Sequence, residues 1–154
     1  KGFGQDTTDF SRHFYSKSNL GIAFLHSASY RKERPIFFFN QTIDYKFHKN
    51  WSAGVGFGIE VFPLALATPF YLNLRYCHTI KRSEFFIESS IGKNLELFPA
   101  VFNSNRNTGI IGMNFILNNK VSISPQLGYL FLWDKYGGAS GSVTASAGVF
   151  YKLW

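Results

Sequence analysis

The stretch WSAGVGFGIEVF, Trp51–Phe62, separates into two alternating sets. Trp51, Ala53, Val55, Phe57, Ile59 and Val61 form one; Ser52, Gly54, Gly56, Gly58, Glu60 and Phe62 form the other. A period of two marks a β-strand with one apolar face. The opposite face is unlike a water-exposed surface, which normally carries Lys, Glu, Thr or Gln. Three alternate glycines weaken a strand unless large groups must fit against them. The apolar face is therefore read as facing lipid, and the glycine face as turned into the crowded lumen of a narrow barrel.

The same alternation recurs along the chain. Seven further strands are expected at about residues 19–30, 36–47, 69–80, 84–92, 109–117, 121–131 and 143–154. Strand four is the clearest repeat, with Phe70, Leu72, Leu74, Tyr76, His78 and Ile80 outward and Tyr71, Asn73, Arg75, Cys77 and Thr79 inward. Pro125 falls within strand seven and predicts a bulge or a lost ladder bond there. Turns after strands two, four and six are about three residues long. The longest alternate connection is expected at residues 95–107, with an apolar part at residues 97–102. Residues 63–68 are read as a short apolar loop, and residues 1–18 as a polar N-terminal arm at the periplasmic mouth, ahead of a barrel over residues 19–154.

Composition agrees with a membrane barrel. In 154 residues, charged side chains make up 16%, against about 25% in soluble domains, and aromatic ones 19%. No apolar run approaches the length of a membrane helix. The formal net charge is +7, but the basic residues lie mostly between strands and no strand face collects them, which excludes a nucleic-acid surface. A single cysteine, Cys77, excludes an internal disulfide, and the scattered His13, His26, His48 and His78 have no metal-ligand spacing. No metal, cofactor or nucleotide motif is present.

The fold expected is all-β: a transmembrane, antiparallel, up-and-down eight-stranded barrel. Its even strand number, alternating connection lengths and strands of about ten to thirteen residues match what a bilayer requires. A soluble eight-stranded cup, with the apolar face turned inward around a ligand, has the same periodicity. The charge-poor polar face and the bulky rings at strand ends, among them Tyr30, Phe47, Trp51, Phe70 and Phe131, favour the membrane form.

Residues 19–154, with their alternation and the aromatic ending GVFYKLW, resemble the small eight-stranded outer-membrane proteins of Gram-negative bacteria. The resemblance implies a multi-pass barrel in the bacterial outer membrane, reached with an export signal removed before Lys1, and contact with outer-membrane lipid and lipopolysaccharide. Trp154 falls on the inward parity, so either the final residues bulge or the facing of the last strand is reversed.

An eight-stranded lumen is filled by side chains. Setting the register from the turn at residues 81–83 brings Arg75 near Glu88, and with Glu60 these form a candidate buried polar network. Gly54, Gly56 and Gly58 would make room for the Arg75 guanidinium and for Tyr71. Arg31, Lys32 and Arg34 are candidate lipopolysaccharide contacts at the outer rim.

No catalytic residue is assigned. FFIESSIG at residues 85–92 resembles a strand of the barrels that remove an acyl chain from lipid A with a Ser, His and acidic constellation. The penultimate strand, SISPQLGYLF, lacks the histidine that such an enzyme carries two residues before its serine. His26 and Ser27 lie on opposite parities. The function expected is a non-enzymatic integral scaffold or accessory subunit that binds envelope proteins or lipopolysaccharide. A lipid A acyl hydrolase and a narrow ion or small-solute conduit are the alternatives.

Overall fold

The computed structural model describes residues 13–27, 34–62, 65–80, 83–98, 103–133 and 139–153. Eight strands follow one another as β1 (His13–Ser27), β2 (Arg34–His48), β3 (Trp51–Phe62), β4 (Ala65–Ile80), β5 (Ser83–Phe98), β6 (Asn103–Ile116), β7 (Val121–Trp133) and β8 (Ala139–Lys152). Each pairs antiparallel with its chain neighbours, and β8 pairs with β1 to close the barrel. Closure removes every sheet edge, so backbone groups within the bilayer are paired between strands except at two interruptions of the ladder.

The apolar parity lies outside. Phe57 is 49% exposed and Leu72 61%, whereas inward Glu60 is 1% exposed and Arg75 3%. In a bilayer that exposed wall is covered by hydrocarbon. A cup with its rings around an internal ligand is the inverse of this arrangement. Aromatic pairs mark the two ends of the wall: Phe14 with Tyr45 and Trp51 with Tyr76 at one, Phe131 with Trp133 at the other. The first end also holds both described chain ends, where Leu153 N–H donates to Phe14 O at 2.9 Å. It holds the short β2–β3 and β6–β7 turns too, which marks the periplasmic side of such barrels. The Asn118 side chain closes the β6–β7 turn by accepting from the Lys120 and Val121 amides.

Several expected boundaries change, β8 among them, which begins at Ala139. β1 begins at His13, so residues 13–18 of the expected arm are strand, paired with β2 as far as His13 opposite Lys46. Residues 1–12 lie outside the described residues. β5 runs to Phe98 and β6 starts at Asn103, which shortens the expected connection over residues 95–107 to residues 99–102. β4 begins at Ala65, which takes residues 65–68 out of the expected loop at residues 63–68. In each case pairing with a neighbouring strand overrides polar or irregular local composition.

Two stretches of ladder lack partners, with register kept on both sides. One falls between Gly112 opposite Gln126 and Phe115 opposite Ile123, beside Pro125; the other between Phe57 opposite Phe70 and Glu60 opposite Ala67, beside Pro69. A proline has no N–H to donate to the ladder, so the lost bonds follow without a bulge. In β8, Phe150 is buried and Tyr151 exposed, the facing read from the sequence; Trp154 lies outside the described residues.

Candidate functional site: the charged lumen

The lumen is built from the inward parity of all eight strands, and its charges come in balanced groups. At its centre Lys17 Nζ, on β1, lies 2.5 Å from both carboxylate oxygens of Glu88, on β5. These strands stand on opposite sides of the barrel, so the pair spans the lumen. Arg75 stands opposite Glu88 on the neighbouring strand, and its Nη1 is 4.0 Å from Glu88 Oε2.

Arg75 is held mainly by other groups. Its guanidinium lies 3.7 Å from the Phe86 ring centre and 4.1 Å from that of Phe150. Its Nη2 donates to Asn114 Oδ1 at 3.1 Å, and Asn114 Nδ2 donates to Glu84 Oε2 at 2.7 Å. A planar cation between two rings keeps favourable electrostatics without water. The chain of contacts ends at the periplasmic mouth, where Lys46 Nζ is 3.7 Å from Glu84 Oε1 and both side chains are about a fifth exposed.

Glu60 belongs to a second group, separate from Arg75 and Glu88. Its Oε1 accepts from Arg106 Nη1 at 2.6 Å and its Oε2 from Asn94 Nδ2 at 2.7 Å. Arg106 also donates to Asn94 Oδ1 at 3.2 Å, and its guanidinium lies 5.0 Å from the Tyr71 ring centre. Of the three network residues expected, two stand together and the third has partners of its own.

Lys17 and Arg106 were not among the expected site residues. Local composition had placed Lys17 in the arm and Arg106 in a polar connection. Extending the parity of Asn19, Gly21 and Ala23 backward points Lys17 inward, which is the signal that could have found it. With Asp44, these groups give four cations (Lys17, Lys46, Arg75, Arg106) against four anions (Asp44, Glu60, Glu84, Glu88). Buried charge is tolerable only when paired and hydrogen-bonded.

The β3 glycines give these groups room, though not as expected. The Tyr71 ring covers Gly56, Gly54 faces Asp44 and Asn73, and Gly58 faces Asn40. Arg75 sits over rings instead. Tyr71 Oη and Thr42 Oγ1 share a hydrogen bond of 3.2 Å, and Asn73 Nδ2 donates to Asp44 Oδ1 at 2.8 Å.

Small voids lie to either side of the central pair. One, of about 60 Å³, is lined by Tyr15, Lys46, Arg75 and Glu84; the other, of about 30 Å³, by Asn40, Glu60, Glu88 and Arg106. Both fall well short of the roughly 150 Å³ void that takes up benzene.

Arg34 opens β2, while Arg31 and Lys32 lie outside the described residues. Among the described residues no group of three metal-ligating side chains comes together. On the outer wall Ser89 stands opposite Leu74, while His78 lies four residues further along β4, roughly 13 Å away and beyond hydrogen-bonding reach. Ser90, its neighbour, points inward and hydrogen-bonds Thr108.

No family model and no curated protein sequence matches the chain. Solved structures do. Neisserial surface protein A aligns with a TM-score of 0.78 at 13% identity, covering 93% of this chain and 99% of that one. The outer membrane enzyme PagL aligns at 0.63 and 11%, covering 87% and 97%. The N-terminal β-barrel domain of Pseudomonas aeruginosa OprF aligns at 0.58 and 6%, covering 92% and 100%. Identities this low carry a fold and no particular activity. The chain has the fold of the small outer-membrane barrels of Gram-negative bacteria.

Proposed function

We propose that the chain is a closed, non-enzymatic outer-membrane barrel that serves as a scaffold or accessory subunit for envelope proteins or lipopolysaccharide. The observation that carries this reading is the filled lumen. Lys17 and Glu88 join opposite walls at its centre, Phe86 and Phe150 pack around Arg75 beside them, and the voids on either side have room for only a few waters. A hydrated ion meets a packed lumen of interleaved cations and anions with no wide path past it. What remains for interaction is the rim and the outer wall. Arg34, at the start of β2, and Arg31 and Lys32, close to it in sequence, carry charge suited to lipid phosphates. Leu97, 59% exposed near the extracellular end of β5, adds apolar surface for a protein or lipid contact.

Planar-bilayer recordings on the purified chain test the closed state. Silent insertions are expected, and steady single-channel steps would refute it. Gentle solubilisation and isolation from native membranes test the accessory role: a stoichiometric envelope protein or lipopolysaccharide should accompany the chain. Lipid A mass analysis with and without the chain should show one acyl pattern; loss of an acyl chain would make it an enzyme.

A further inference from the structure

The lipid-facing wall carries a polar cluster within its apolar surface. On the outward parity of β1, Ser16 and Ser18 flank Gln41 of β2: Ser18 Oγ donates to Gln41 Oε1 at 2.5 Å, and Gln41 Nε2 donates to Ser16 Oγ at 2.5 Å. Ser16 is one step, and Ser18 two, inward along β1 from Phe14, whose ring contacts Tyr45 in the periplasmic aromatic belt. That is roughly 7 and 13 Å along the strand, within the hydrocarbon. The bonds leave donor capacity unused on the Ser16 hydroxyl and on the second Gln41 amide hydrogen, and lone pairs on Ser18. Hydrocarbon offers these groups nothing.

The same wall has matched relief. Leu20, the next outward residue of β1, is 67% exposed, and it stands beside Ala147 of β8, with Ala145 next along that strand. Leu127 of β7 stands opposite Ala145 on the far side. A protruding leucine therefore borders a shallow strip of small side chains, with the hydrogen-bonding cluster beside it.

We propose that the outer face of β8, β1 and β2 packs against the same face of a second copy of this chain, with Ser16, Ser18 and Gln41 hydrogen-bonding across the junction. All copies insert in one orientation, so a closed pair has its two-fold axis along the membrane normal and each residue meets residues at its own depth. The cluster then meets itself, and unused donors face unused lone pairs. Leu20 and the alanines of β8 lie beside that junction, where small side chains let walls approach closely. A different protein would need matching groups at that depth; a second copy supplies them by symmetry. The inference does not depend on the scaffold reading.

The test uses the full chain with Cys77→Ser as background. In native outer membranes, oxidation of Ser18→Cys should give a covalent dimer, while Ser89→Cys, on β5 across the barrel, should give none. In lipid vesicles, energy transfer between labelled copies across a lipid dilution series should report pairing. Gln41→Leu should raise the dissociation constant about threefold to thirtyfold, and Ala147→Trp should abolish pairing, with folding of each variant checked by heat-modifiable gel mobility. A chain that stays monomeric at every dilution overturns the proposal. So does pairing unchanged by both variants, cross-linking through Ser89→Cys, or a Ser18→Cys product containing only a different protein.

Discussion

Glu88 holds two cations at once, and removing it should cost more than removing either. Its carboxylate is 2.5 Å from Lys17 and 4.0 Å from Arg75. At an effective dielectric of about 20 these separations correspond to attractions of about 7 and about 4 kcal/mol before desolvation is charged against them. Lys17→Met forfeits the larger attraction but leaves Glu88 facing Arg75. Its cost is therefore set at the low end for a broken buried pair, about 3 kcal/mol. Glu88→Gln keeps the volume but leaves both Lys17, fully buried, and Arg75, 3% exposed, without the carboxylate, and should cost about 5 kcal/mol. Lys17→Met with Glu88→Gln should be less destabilised than the sum of the two by at least about 2 kcal/mol, because Lys17→Met removes a charge that Glu88→Gln leaves stranded. The assay is urea-dependent folding into lipid vesicles, followed by tryptophan fluorescence and gel mobility. If Lys17→Met proves as costly as Glu88→Gln, or if the two costs add within about 0.5 kcal/mol, the shared-carboxylate account is wrong.

Arg106→Ala should cost about 3 kcal/mol in the same assay, since it strands the buried Glu60 carboxylate with only Asn94. Lys46→Ala, at the partly exposed mouth, should cost under about 1 kcal/mol; equal costs for the two would refute the distinction between sealed and solvated pairs. Arg75→Ala should lower the melting temperature, and Arg75→Lys should restore little of it, because an ammonium cannot reproduce a planar cation packed between Phe86 and Phe150. An unchanged melt for Arg75→Ala would remove Arg75 from the network. Gly56→Val pushes into the Tyr71 ring and should cost about 1–3 kcal/mol, whereas Gly109→Ala meets open space on the outer wall and should leave stability nearly unchanged. Similar effects at both glycines would contradict the packing described.

The facing of each strand was legible because a period of two has only two solutions, and the Gly, Ser and Asn parity cannot form an ordinary aqueous surface. The pairing of Arg75 with Glu88 was legible for a local reason: a short turn sets the register of a hairpin. Lys17 with Glu88, and Arg106 with Glu60, join strands that are not neighbours, so no turn relates them. Local composition also worked against both cations. The Asn-rich run around Arg106 carries turn chemistry, and Lys17 sits in a polar segment, yet each strand continues because closing the barrel supplies partners for it. Glu60 showed that it was inward and buried, but only the three-dimensional path across the lumen assigns its cation.

The orientation of the wall underlies everything else, and spin labels placed singly from residue 70 to residue 76 of β4, in a Cys77→Ser background reconstituted into lipid, measure it directly. Labels at Phe70, Leu72, Leu74 and Tyr76 should be accessible to oxygen dissolved in the bilayer, with accessibility falling at the positions between them. A reversed alternation, or outward labels reached by a water-soluble nickel reagent as readily as the rim residues are, would contradict a lipid-facing wall around a charged lumen.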